Sequence, residues 1–196
     1  MKKSKALLVF TLCGFLGVVT ILQGESLSVS FQRNVYSKGR VHSYFLFSGD
    51  ISYDTVDAVR NGITARLVLI FQLVESGGVF GSVKDVLRER VESFNLTYDV
   101  WENSFRIVDR NRDAEYMAAS ASEVLFRINE AINPVKLSAS SVRDDEKLIV
   151  RAKIRIQTIK LYPPFGIFLF FFDPWNYETS WIYSDVFTVK TLRGSL

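Results

Sequence analysis

Histidine occurs once in this 196-residue chain, at His42, and cysteine once, at Cys13. Zinc sites draw mainly on these two residue types, so one here would have to rest mostly on carboxylates. His42 sits in an alternating stretch beside Tyr44, with no orienting acid and no nucleophile next to it. Ser-His-Asp chemistry therefore has no support in the sequence. The segment "SGGVFGS" lacks the lysine and the strand–helix setting of a phosphate loop. Acids and bases are close to balance. The chain holds 24 Lys and Arg against 21 Asp and Glu, and Lys2, Lys3 and Lys5 lie at the extreme N-terminus; without those three, 21 stand against 21. The basic pI thus gives no ground for nucleic-acid binding. No internal repeat, low-complexity tract or linker divides the body, whose length suits one domain with a real core.

The chain opens "MKKSKALLVFTLCGFLGVVTILQGES". A cationic start, the apolar stretch Ala6 to Leu22 and the small-x-small group Gly24-Glu25-Ser26 have the layout of a secretory signal. The apolar stretch has 17 residues. That exceeds the usual ~7–15 of a signal core and falls short of the ~20 that span a bilayer comfortably. Two readings stay open: cleavage after Ser26 (or Gly24), which Gly14 and Gly17 favour, or retention as an anchor. Lipid attachment at Cys13 is disfavoured by the bulky Leu12 before it. Once the signal is removed the body has no thiol, which excludes disulfides, thiol nucleophiles and cysteine ligands. The expected organisation is a leader or anchor over 1–26 and a single β-rich domain over 27–196. The expected location is the periplasm or the extracytoplasmic face of a membrane.

Period-two alternation dominates that body. A turn at Ser37-Lys38-Gly39 separates two strands, the second with Val41, Ser43, Phe45 and Phe47 on one face. "ISYDTVDAVRNG" reads as a short helix capped by Ser52, with Val56, Val59 and Ile63 inward and Asn61-Gly62 at its end. Ile63, Ala65, Leu67, Leu69, Phe71 and Leu73 share one face of a long strand. Phe94, Leu96, Tyr98 and Val100 alternate in an arm that turns at Glu102-Asn103 and returns as "SFRIVD". Met117, Ala121, Val124, Leu125, Ile128 and Ile132 form one stripe of a helix from Ala114 to Ile132, capped by Asp113 and stopped by Asn133-Pro134. "VKLSASSV" and "EKLIVRAKIRIQTIKL" flank a turn at Arg143-Asp144-Asp145, with Leu148, Val150, Ala152, Ile154 and Ile156 inward. "SWIYSDVFTVKT" closes the domain as a strand. Together these predict an α+β, mainly β fold: an antiparallel sandwich of two sheets, about eight strands, with two helices. A closed β-barrel is the alternative.

Several segments in this order, "VDAVRNGITARLVLIFQL", "FNLTYDVWENSFRIV", "EVLFRINEAI" and "LYPPFGIFLFFFDPWNYETSWIYSDVF", carry a resemblance. With Ala58 and Gly62 before the long strand, Tyr98, the Leu161–Pro164 junction and Trp181, the chain resembles a bacterial exported family catalogued as domain of unknown function four-three-nine-zero. The resemblance covers about residues 27 to 188. It implies an exported bacterial protein with no established reaction, and it supplies no catalytic residues to carry over.

Chemistry-bearing clusters are few. Asp109, Asn111, Asp113 and Glu115 are spaced like the first ligands of a calcium loop, but Ala114 stands where that loop needs glycine, so a turn is expected and no metal or cofactor. Arg151, Lys153 and Arg155 form the one basic stripe. It is expected to pair with acids on a neighbouring strand, such as Glu89 or Glu92. The sharper expectation is contact with an anionic surface. The eight residues Phe165–Phe172 contain no polar side chain. Too short to cross a bilayer as a helix, they reach at most ~27 Å as a strand. Phe165, Ile167, Phe168, Phe170 and Phe172, with Trp175 and Trp181, form the candidate docking patch, if they are not core. The expected function is a non-enzymatic exported envelope domain, an interaction or accessory module at the membrane face. Its partner would be an envelope protein or a membrane surface, with no nucleic acid. The alternative is a carrier of a lipid-like apolar ligand.

Overall fold

Lys38 and Gly39 both have positive φ, +49° and +74°, which a two-residue hairpin turn requires at its central positions. They join β1 (Ser28–Ser37) to β2 (Arg40–Ser48). The computed structural model describes residues 27–77, 83–158 and 177–194. After β2 come α1 (Tyr53–Arg60), β3 (Ala65–Ser76), β4 (Val83–Asp99), β5 (Ser104–Asp109), β6 (Ala114–Ala118), α2 (Ala121–Ile132) and β7 (Val135–Ser138). The chain continues with β8 (Leu148–Thr158), β9 (Tyr177–Glu178), β10 (Ile182–Tyr183) and α3 (Val189–Gly194). A three-stranded sheet runs β1-β2-β7, and a seven-stranded sheet runs β10-β8-β3-β4-β5-β6, with β9 also paired to β8. Every pairing is antiparallel. This is the α+β two-sheet sandwich that the alternation predicts, and its described strands do not close into a barrel.

The sheets meet on the predicted faces. Val41, Phe45 and Phe47 from β2 pack on Leu67, Leu69, Phe71 and Leu73 from β3, and the inward residues Val150, Ala152, Ile154 and Ile156 of β8 are buried beside them. The Phe71 ring lies 5.5 Å from that of Phe45 and 6.2 Å from that of Phe47, centroid to centroid. Such inclined aromatic contacts add to the burial of area.

At the small sheet's far edge β7 is only four residues long and pairs with Arg40–Ser43. Beyond Ser43 the β2 edge would present bare backbone groups, which a buried edge cannot leave unpaired. Two amides take over, Asn129 within α2 and Asn133 at its C-cap. Asn133 accepts from the Phe45 N–H at 3.1 Å and donates to its carbonyl at 2.7 Å. Asn129, one turn earlier, does the same for Phe47 at 3.0 and 2.8 Å. The i, i+4 spacing places both amides on one helix face. That clamp seats α2 across the sandwich edge, with Val124, Leu125, Ile128 and Ile132 buried.

Five expected features differ. Ala114–Ala118 is strand β6, paired to Phe105–Asp109, and not the first turn of α2. Asp113 lies in the turn before it at φ +52°, while Ser120 caps α2 by accepting the Glu123 N–H at 3.2 Å. Val100 lies in the exposed β4–β5 turn and not on the inward face. Strands β7 and β8 belong to different sheets, so the turn at Arg143–Asp145 is a crossing and not a hairpin. The C-terminal segment forms only the short β10 and then α3, opened by Thr188, whose hydroxyl accepts the Thr191 N–H at 3.0 Å.

Replacing Asn129 with alanine leaves the Phe47 N–H and carbonyl without partners. A loss of about 1–3 kcal/mol is expected in urea unfolding, with the slope unchanged. A stability equal to that of the parent would show that the amide ladder contributes nothing.

Candidate functional site

The basic stripe lies on the outer face of the large sheet, and its cations have partners. The register sets Gln72 opposite both Glu89 on β4 and Arg151 on β8. Gln72 Nε2 donates to Glu89 at 2.5 Å, and its Oε1 accepts from Arg151 at 2.8 Å, forming a three-strand relay. Glu89 thus reaches the stripe through Gln72. Glu92 does not, because it points to the other face, where Arg90 and Arg112 hold it. The partner the sequence did not reveal is Glu178 on β9, paired with Lys153 and, at 2.6 Å, with Arg155. Trp181 lies against the same cations, its ring centre 4.2 Å from the Arg151 guanidinium carbon and 4.7 Å from the Lys153 ammonium. Trp181 is the one member of the expected docking patch that is described. Phe165, Ile167, Phe168, Phe170, Phe172 and Trp175 lie outside the described residues.

The turn of the calcium-like stretch is a closed hydrogen-bonded unit. Buried Asp109 accepts the Asn111 and Arg112 N–H groups at 2.9 and 3.2 Å and the Arg112 guanidinium at 2.5 Å. Glu115 pairs with Arg106 at 3.1 Å. Among the described residues no group of His, Cys, Asp and Glu is placed to hold a metal ion.

A second surface was not singled out by the sequence. One end of the sandwich holds Ala65, Leu96 and Thr158 side by side. The chain leaves this end at Thr158 and re-enters at Tyr177, opposite Ile156. The Tyr177 hydroxyl donates to the Leu27 carbonyl at 3.3 Å, so the body also begins here. Helix α1, between β2 and β3, sits at this end, with the Arg60 guanidinium 5.8 Å above the rings of Tyr98 and Phe105. The β4–β5 hairpin projects past it. Its tip is pinned by Asp99, which accepts the Trp101 and Glu102 N–H groups at 2.9 and 3.2 Å. On that rigid turn Trp101 is 97 % exposed and Val100 72 %; Tyr53 on α1 is 79 % exposed. Thr97, Tyr98, Asp99, Val100, Trp101 and Arg106 line a shallow concavity of about 350 Å³ below the tip. A periodic search for inward faces passes over these residues, because an exposed turn has no period. The signal in the sequence is an apolar pair, Val100-Trp101, in a turn that a soluble hairpin would fill with polar residues.

The fold class is thus a two-sheet sandwich whose described surface combines charge-paired strands with an end that displays Val100, Trp101 and Tyr53. The family model for Domain of unknown function (DUF4390) matches residues 25–184, and the chain belongs to that family. No curated protein and no solved structure matches it.

The Arg155 guanidinium, and after it the Lys153 ammonium, hold the Glu178 carboxyl below the usual carboxylate range. A depressed carboxylate contributes stability above its unfolded pKa, about 4.3 for Glu, and loses it as pH falls through the lower folded value. Glu178 is partly exposed, so the contribution is the few tenths to ~1 kcal/mol of a surface pair. Below that range, protection of the Thr179 amide, bonded to the Ile154 carbonyl at 2.9 Å, should fall relative to its intrinsic exchange rate. Glu178→Gln should show low protection at every pH. A parent protein whose protection does not change across the acid range would remove Glu178 as the clamp on β9.

Proposed function

We propose that this is a non-enzymatic exported domain that works as an interaction or accessory module at the face of a membrane, docking through the end of the sandwich that carries Trp101. One observation supports the reading above all. The Tyr177–Leu27 contact joins the two points at which the most apolar stretches of the sequence, Ala6–Leu22 and Phe165–Phe172, attach to the body. Rigidly displayed Trp101, Val100 and Tyr53 crowd the same end. Tryptophan and tyrosine favour the boundary between water and lipid, where one part of the ring is dry and the other wet. Among the described residues no helix is long and apolar enough to cross a membrane, and docking of this kind needs none.

Exposed acids Asp50, Asp54, Asp57 and Glu102 stand at the same end. They oppose attraction to an anionic surface. Contact therefore rests on the apolar side chains, each worth about 1.5–3 kcal/mol when fully covered.

The chain has three tryptophans, so Trp175→Phe with Trp181→Phe leaves Trp101 as the only indole. In the full-length chain on zwitterionic vesicles, brominated lipid should quench its fluorescence, and added anionic lipid should not increase the quenching. Trp101→Asp should leave folding stability within about 0.5 kcal/mol. A Trp101 signal that stays fully aqueous and unquenched removes membrane docking at this end. Stoichiometric lipid recovered from the purified protein by mass spectrometry would favour an apolar-ligand carrier.

A further inference from the structure

The small sheet contains no carboxylate. Strands β1, β2 and β7 read SVSFQRNVYS, RVHSYFLFS and VKLS, and the turn between the first two adds Lys38. In a body whose acids and bases balance, this is a marked separation of charge. The register concentrates it: His42 stands opposite Lys136, Arg40 opposite Ser138, and Ser37 opposite Arg40. Arg40 and Lys136 are therefore diagonal neighbours, and like charges so held on an antiparallel pair repel. Elsewhere on the protein some strand cations meet acids, as Arg155 meets Glu178 and Arg106 meets Glu115, and others meet neutral oxygens, as Arg88 meets Ser141 and Arg151 meets Gln72. Lys38, Arg40 and Lys136 form no ion pair among the described residues.

These side chains surround a shallow concavity of about 410 Å³, lined by Ser37, Lys38, Arg40, His42 and Lys136. The turn that forms one wall is fixed to β7, since the Ala139 N–H donates to the Gly39 carbonyl at 2.9 Å. Every lining side chain can donate a hydrogen bond, and none is a carboxylate. The complement of such a wall is a compact anion with several acceptor oxygens. We infer that this concavity binds a phosphate-bearing anion. Three cations and a serine hydroxyl line one compact concavity, which suits the clustered oxygens of a phosphoryl group better than the spaced carboxylates of an extended acidic peptide. The site lies at the Ser37 end of β1, about 30 Å from Leu27 along a strand of ten residues. It is therefore separate from the Trp101 end and does not depend on docking there.

The test uses the full-length chain in neutral detergent with pyrophosphate as the probe, followed by phosphorus NMR. Saturable binding at constant ionic strength is expected. Arg40→Glu combined with Lys136→Glu should weaken it by at least about tenfold, while Lys190→Glu on α3 leaves it unchanged. Both altered side chains are exposed, and circular dichroism confirms that the variant folds. Competition by vesicles bearing phosphatidic acid would assign the phosphoryl group to a lipid headgroup; failure to compete would assign it to a soluble ester. Binding no stronger than that of chloride would overturn the inference. So would unchanged affinity in the double variant, or a glutamate decapeptide that binds at least as tightly as pyrophosphate.

Discussion

Hydrogen bonding along the β2 edge constrains the rest of this domain. Strand β7 serves that edge only as far as Ser43, and a side-chain ladder from Asn129 and Asn133 serves Phe45 and Phe47. An amide is the one neutral side chain that donates and accepts in a fork matching a backbone residue. Two of them at i, i+4 therefore let a helix end a sheet without leaving orphan groups. The consequence reaches both sheets. Helix α2 follows β6, the last strand of the large sheet, and precedes β7 of the small one. Fixing α2 on β2 sets the separation of the sheets and brings Phe45 and Phe47 onto Phe71.

Much of this was legible from alternation alone. The inward faces of β2, β3 and β8 follow from a period of two, because each strand has one face in the core. What a period cannot supply is the partner. The stripe from Met117 to Ile132 keeps a 3.6-residue spacing, and A-E-Y-M-A has good helix formers, yet the first part of it is strand. Asp109 turns the chain through its own side chain, and Asp113 adopts positive φ. The returning segment then lies along the open edge of β5, where its backbone groups are paired with Phe105–Asp109. Tertiary pairing overrides local propensity here. Likewise no pattern shows that β7 and β8 lie in different sheets, since both alternate.

The same limit applies to the candidate sites. Arg151, Lys153 and Arg155 were legible as a stripe, but Glu178 was not legible as their partner. It lies some twenty residues further on and is brought back only by the pairing of Tyr177 with Ile156. The expected acids illustrate how register decides contact. Glu89 and Glu92 are three residues apart on one strand and so face opposite sides of the sheet. Only Glu89 is linked to the stripe, through Gln72. Cations without an ion pair among the described residues also lie on the small sheet, where the informative feature was a missing residue type.

Charge and apolar surface are distributed with a direction. Acids Asp50, Asp54, Asp57 and Glu102 share one end with Trp101, and Lys38, Arg40 and Lys136 occupy the other. Neither end carries one sign alone, since exposed Asp144, paired with Arg193 at 2.6 Å, stands near the small-sheet cations and Arg106 stands below Trp101. An anionic membrane surface would attract the small-sheet cations Lys38, Arg40 and Lys136. An N-terminal apolar segment and an exposed tryptophan would hold the opposite end there. The two tendencies conflict only within about a Debye length, near 8 Å at physiological salt. Over the roughly 30 Å between the ends the field would have decayed, and under the proposed docking apolar contact would set the orientation. In the docked orientation proposed above, the donor-lined concavity would face away from that surface, so a lipid phosphoryl group could reach it only from a second membrane.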